Sequence, residues 1–114
     1  MTQHAELTME RWSAFGLAKQ LLQIAAEMQR GTRPVRTGEM ERVRAGYERV
    51  LRLVDLTVQS NPGLGLRREL LRWRGVVGEL YVSDVSDPER HRLALRVLLR
   101  LHPESSQHVQ FLDA

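Results

Sequence analysis

Apolar residues in this chain of 114 residues recur at helical spacing, and no segment alternates between apolar and polar residues over any length. A spacing of three and four residues lines one face of an α-helix, whereas a half-buried strand needs a period of two. Four segments show the helical spacing, and turn-forming residues lie between them. The pattern therefore predicts an all-α protein.

The first helical segment is expected to run from Thr8 to about Arg30. Thr8 is its predicted N-cap, and Leu7 and Trp12 have the spacing of a hydrophobic staple. Gly16 has low helix propensity, so we expect a bend near the start of this segment.

Residues 31–37 are predicted to form a loop before the second helix. Gly31 stands where the C-terminal cap of the first helix is expected. Pro34 opposes a continuing helix and disfavours helical backbone at Arg33. The second helix is therefore expected to start near Thr37.

A turn at Ser60–Gly63 separates the second helix from the third, which is predicted over Leu64–Val82. Gly75 and Gly78 lie inside this third helix, where each glycine costs about 1 kcal/mol relative to alanine. The pair predicts close approach by another backbone, either inside the bundle, which we favour, or across a subunit interface.

The fourth helix has a strong start signal. Asp87 is its expected N-cap, and Pro88 takes the first helical position, where a missing N–H costs nothing. The helix is expected to end at His102–Pro103. Val109 and Leu112 then predict one short amphipathic turn.

Short connections between helices favour antiparallel neighbours. We therefore predict an antiparallel up-down four-helix bundle with a short C-terminal helical turn, built as one domain over residues 1–114. Residues 1–7 and 103–114 are expected to be peripheral or frayed.

Several leucines fall outside the main apolar stripes and make some helices apolar on more than one side. Surplus apolar surface of this kind often marks association, so we predict a homodimer or a complex with a partner protein. The leucines concerned are Leu53, Leu56, Leu71, Leu95 and Leu99.

The residues that usually carry chemistry are sparse. The chain has no cysteine, no glycine-rich phosphate loop and no helical pair of histidines at zinc-site spacing, so we predict no metal and no cofactor. The N-terminus is polar and no run is long enough to span a membrane, so we expect a cytoplasmic protein that does not enter a membrane.

Arginine supplies sixteen of the seventeen basic residues, and it clusters in two stretches. Residues 30–52 carry seven Arg against three Glu, and residues 67–74 carry four Arg against one Glu. A guanidinium group offers donors that match phosphate oxygens. The candidate nucleic-acid-binding residues are therefore Arg42, Arg49, Arg52, Arg67, Arg68, Arg72 and Arg74. Codon bias and solvated helix faces explain the same composition.

Arg96 and His102 have a spacing that resembles the catalytic arginine–histidine motif of HEPN-type RNases, which are helical bundles that usually dimerise to assemble the site. The resemblance implies that His102 acts as a general acid or base and that Arg96 stabilises a phosphate transition state. Val97 follows the arginine, where that family usually has a polar residue. The bland interpretation is that His102 interacts with the dipole at a helix C-terminus.

Three functional hypotheses follow. The leading one is a non-enzymatic helical protein that acts as a protein-interaction module, scaffold or complex subunit. The alternative is an accessory RNA-binding subunit that uses the arginine-rich face. The minor alternative is a HEPN-like RNase.

Overall fold

The computed structural model describes residues 8–112, and every regular element in that range is helical. The long helices are α2 (Leu17–Arg30), α4 (Met40–Ser60), α5 (Leu64–Val82) and α6 (Pro88–Leu99). The short helices are α1 (Met9–Ser13), α3 (Thr32–Thr37) and α7 (Pro103–Ser106), and a 3₁₀ turn follows at Val109–Phe111. The all-α prediction is confirmed. An antiparallel four-helix bundle is not established, because short helices divide and extend the four predicted segments.

The first predicted segment is two helices rather than one. The Thr8 hydroxyl accepts a hydrogen bond from the backbone N–H of Arg11 at 3.2 Å, so Thr8 caps α1 as predicted. The helix then breaks before α2, where only a bend was expected. The buried amide of Gln20 holds this break by donating to the carbonyls of Trp12 and Phe15, at 2.9 and 3.1 Å. The predicted staple involves Leu7, which lies outside the described residues.

The predicted loop over residues 31–37 is wrong, because most of it forms α3. Pro34 is the third residue of that helix. Proline lacks a backbone N–H, but in a first helical turn this group would have no hydrogen-bond partner inside the helix, so proline is tolerated there. Gly31 is the C-cap residue of α2, as predicted, but its φ of −77° is not left-handed and the chain continues directly into α3. Gly38 takes the left-handed conformation with φ 74°, which delays α4 to Met40.

The predicted boundaries hold better in the second half of the chain. Helix α5 occupies its predicted range, and Asp87 and Pro88 begin α6 as expected. Helix α6 ends at Leu99, before His102. The ring nitrogen Nδ1 of His102 accepts a bond from the Glu104 N–H at 3.1 Å. The side chain therefore caps α7.

The long helices share one core, in which α4 packs between α2 and α5, and α6 contacts both α2 and α5. Helix α3 bridges α4 and α6. Leu53, Leu95 and Leu99 are buried in this core, and Leu56 is half-buried. Counting them as surplus apolar surface was therefore wrong, and of the five leucines only Leu71 is exposed. Within residues 8–112, no helix is long and apolar enough to span a membrane.

Candidate functional site

Three of the seven candidate arginines bond to other parts of the fold. Arg74 binds both carboxylate oxygens of Asp55 on α4, at 2.7 and 3.1 Å, and this bond raises the pKa of Arg74. Arg67 also reaches α4, where its guanidinium lies 3.4 Å from the Val58 carbonyl. Arg49, the third, binds a buried carboxylate on α2. Each of these arginines joins two helices.

The remaining four candidates, Arg42, Arg52, Arg68 and Arg72, are exposed. Arg72 and Arg74 are two positions apart, which places them about 200° apart around α5. Because Arg74 faces α4, Arg72 faces away from it. Arg72 is therefore not part of the contact that Arg67 and Arg74 make with α4.

A groove between the end of α2, helix α3 and the start of α4 brings together two of the candidates, Arg42 and Arg49, with Arg30. Its volume is about 250 Å³. We call it the arginine groove, and its lining consists of Arg30, Gly31, Pro34, Arg42, Ala45, Gly46 and Arg49.

Glu27 is not part of the groove lining, but it binds two of the lining arginines. Its side chain is 6% exposed, and its two oxygens bind different arginines. Arg30 Nη1 lies 2.7 Å from Oε1, and Arg49 Nε lies 3.1 Å from Oε2. Sequence reasoning missed Glu27, although its position three residues after Ile24 on the apolar stripe of α2 was a signal for a buried acid.

His91 lies behind the arginine groove and joins three helices. Its Nε2 is 2.8 Å from the Met28 carbonyl, and its Nδ1 is 2.8 Å from the Tyr47 hydroxyl. A carbonyl can only accept, so Nε2 carries the proton and Nδ1 accepts from Tyr47. Burial lowers the pKa of His91, and burial together with the charge of Asp87 raises the pKa of Tyr47 to about 12. Both groups are therefore neutral and mutually satisfied at pH 7.

The remaining candidates from the sequence are the HEPN-type resemblance at His102 and a metal site. The capping bond of His102 occupies its Nδ1, which the HEPN-type resemblance did not anticipate. In the part of the chain from residue 8 to residue 112, no cluster of three or more His, Asp or Glu side chains has the arrangement of a metal site.

Exposed apolar residues lie on the outer side of α5 and on the neighbouring side of α6, together with the charged residues Arg68, Arg72 and Glu79. Positions 71, 75, 78 and 82 of α5 are spaced four, three and four apart, on the side opposite the buried stripe that contains Trp73 and Val77. We call this surface the apolar face, and it consists of Leu71, Gly75, Gly78, Val82, Leu93 and Val97.

The two helices meet at the apolar face through an ion pair. Arg90 Nη2 lies 2.9 Å from Glu79 Oε2, and Leu93 and Val97 follow Arg90 on the same side of α6. The four large side chains are well exposed: Leu71 by 49%, Val82 by 73%, Leu93 by 50% and Val97 by 49%.

The two glycines of the apolar face are not packed against the chain. A Cβ atom built at Gly75 or Gly78 would meet nothing within 4 Å outside the helix itself. The favoured prediction of close packing inside the bundle is therefore wrong, and the alternative of an interface between subunits stays a prediction.

Comparison with known proteins assigns neither surface a role: no family model, no curated protein and no solved structure matches the chain.

Proposed function

We propose that this protein is a non-enzymatic interaction module that self-associates through the apolar face. The single observation that carries the proposal is the combination of four exposed apolar side chains with two open glycines on one surface. Exposed apolar patches are disfavoured on monomers and are common at association surfaces. The long helices, which we take to form the predicted antiparallel bundle, serve as its scaffold, and a cytoplasmic location remains part of the proposal.

Charge favours a second copy of the chain as the partner. Residues 67–74 carry four Arg and one Glu, a net charge of +3, whereas residues 75–91 carry four acids and one Arg, a net charge of −3. If two α5 helices cross antiparallel, the basic first half of each faces Glu79 in the second half of the other, and Asp84, Asp87 and Glu89 follow beyond the end of α5. Complementary potentials of this kind set the orientation of an interface.

The positions on α5 are also self-complementary. Leu71 and Val82 are centred between residues 76 and 77, and Gly75 and Gly78 share that centre. A two-fold axis at this point places each leucine opposite the partner's valine and each glycine opposite the other glycine. Because glycine has no side chain, the two backbones can approach closely at the axis, which is the isologous arrangement of a symmetric dimer.

The alternative of an RNA-binding subunit has weaker support. Arg42, Arg52, Arg68 and Arg72 are exposed, but the first lies on the α2 side of α4 and the last two lie on the outer side of α5. The HEPN-like alternative depends on His102, whose Nδ1 is occupied in a cap. Protein association is supported by several exposed apolar residues on two neighbouring helices, and these alternatives have no comparable support.

Sedimentation velocity over a range of protein concentrations tests the proposal. We expect the parent chain to form a dimer and Leu71→Glu to be monomeric with an unchanged helical circular dichroism spectrum, because Leu71 is half exposed. Arg52→Glu, on the exposed side of α4, is the matched control and should leave the dimer intact. A parent chain that stays monomeric, or a dimer that Leu71→Glu leaves intact, would contradict the proposal.

A charge exchange tests the antiparallel orientation. Arg68→Asp and Asp84→Arg should each raise the dimer dissociation constant by about five-fold. Each change replaces two attractive contacts per dimer, between residues 68 and 84 of opposite copies, by repulsive ones, and each contact has the small energy of an exposed ion pair. The double variant should restore the parent value. Additive weakening in the double variant would contradict this register.

A further inference from the structure

The arginine groove brings three arginines together, and none of them belongs to the apolar face proposed for self-association. Its lining includes Arg30, Arg42 and Arg49, and the buried carboxylate of Glu27, outside that lining, pairs with Arg30 and Arg49. The apolar face lies on α5 and α6, whereas the groove is formed by α2, α3 and α4. The two surfaces are therefore separate.

Glu27 fixes two guanidinium groups but balances the charge of only one. Arg30 uses Nη1 and Arg49 uses Nε to reach the carboxylate, so each retains further N–H donors. Arg49 is only 38% exposed, and a partly desolvated guanidinium has lost part of its hydration. Counted over these three side chains alone, the net charge is +1.

Arg42 adds a third guanidinium at the rim. Its Nε lies 3.7 Å from Glu39, and its side chain is 75% exposed, so this contact holds it weakly. Glu39 itself also accepts a hydrogen bond from the Thr37 hydroxyl at 2.6 Å. Arg42 can therefore turn towards an anion in the groove without loss of a strong bond.

We propose that the arginine groove binds the phosphate group of a small phosphate monoester. Two guanidinium groups held on one buried carboxylate form a fixed pair of donors, and the third arginine closes over the ligand. Fixed, planar donors that form charge-assisted bonds are the residues of choice for phosphate oxygens. A dianion also offsets the excess positive charge that Glu27 leaves.

The shape of the groove favours a single phosphate group over a nucleic-acid strand. At about 250 Å³ it holds one compact group, and no aromatic side chain lines it for a base to stack on. The exposed candidates Arg68 and Arg72 lie on another helix and do not extend the groove into a track. A strand therefore finds only one pre-arranged contact here.

Titration followed by amide resonances tests the site on the full chain. Inorganic phosphate, glycerol phosphate and dimethyl phosphate are added in low salt, and the backbone amide signals of Gly31 and Gly46, which line the groove, are monitored. We expect saturable shifts with phosphate and glycerol phosphate. The diester, a monoanion, should bind about ten-fold more weakly.

Matched variants show which arginines are responsible. Arg30→Gln and Arg42→Gln should each weaken binding of glycerol phosphate by about ten-fold, the cost of one charge-assisted bond. Arg52→Gln removes a charge from the exposed side of α4 outside the groove, and it should change affinity by less than about two-fold. Both groove arginines are well exposed, so the variants should fold, which circular dichroism verifies.

Three results would overturn the proposal. The first is a lack of saturable shifts at Gly31 and Gly46 with either phosphate or glycerol phosphate. The second is an equal loss of affinity in Arg52→Gln, which would show only general charge attraction. The third is a short single-stranded RNA that shifts these signals where the monoester does not, which would assign the groove to nucleic acid.

Discussion

Arginine and glycine occur both in the arginine groove and in or beside the apolar face, but in different surroundings. In the groove, Arg49 binds a buried carboxylate, and a Cβ atom at Gly31 would lie 3.4 Å from the His91 ring. Beside the apolar face, Arg90 binds an exposed carboxylate, and a Cβ atom at Gly75, within the face, would meet nothing within 4 Å. At the groove, Arg49 and Gly31 are therefore packed against other parts of the chain, whereas Arg90 and Gly75 are exposed.

The largest expected effect is the loss of stability on removal of Arg49, an arginine of the groove. Arg49→Ala leaves Glu27 buried with one of its arginines gone, and breaking a buried ion pair costs several kcal/mol. Because Arg30 remains and Arg49 is partly exposed, we expect a loss of about 2 kcal/mol in the free energy of unfolding, measured by urea denaturation.

Arg72→Ala is the matched change on α5. Its ion pair with Glu69 joins exposed side chains at 3.7 Å, so we expect less than about 0.5 kcal/mol. If the two variants lost equal stability, the distinction between a positioned and a solvated arginine would not hold.

The second effect is a pH dependence that arises from His91, behind the groove. Burial lowers its pKa in the folded state, so on acidification the unfolded chain takes up the proton first. The stability that the neutral ring contributes is therefore complete above the unfolded pKa of about 6.5 and is lost as pH falls from there towards the folded pKa. At neutral pH the stability therefore changes little with pH on account of His91.

Urea denaturation between pH 7.5 and 5 measures this effect. Stability should fall with acidification in the parent chain, and His91→Gln should flatten that fall. His108→Gln is the control, because His108 is exposed, and it should retain the parent slope. A parent slope that persists in His91→Gln would assign the proton uptake to another group.

The sequence predicts α5 and the start of α6 well because their signals are local. Asp87 and Pro88 define a helix start without help from the rest of the chain, and Ser60–Gly63 defines a turn. The segment around Pro34 fails for the opposite reason. Proline excludes a helix interior but not a first turn, and Pro34 lies in a first turn because α3 begins at Thr32.

The candidate sites were predictable only in part, because partners determine the role of a charged residue. The spacing of the arginines does not show that Arg74 meets Asp55, nineteen positions earlier. Similarly, Leu95 lies off the main stripe of α6 but is buried, since α6 is covered on more than one side. The sequence shows that Gly75 and Gly78 lie inside a helix. Whether they face another part of the chain or solvent follows only from tertiary packing.

The smallest expected effect, at Gly75, separates folding from association most directly. Alanine has a higher helix propensity by up to about 1 kcal/mol, and its methyl group would meet nothing in the single chain. Gly75→Ala should therefore raise the melting temperature of the dilute monomer by a few degrees. The same methyl group would lie at the centre of the proposed dimer, so the dimer dissociation constant should rise. A variant that gains stability and loses association identifies the glycine as an interface residue, whereas unchanged association would place the dimer contact away from the two-fold centre at Gly75 and Gly78.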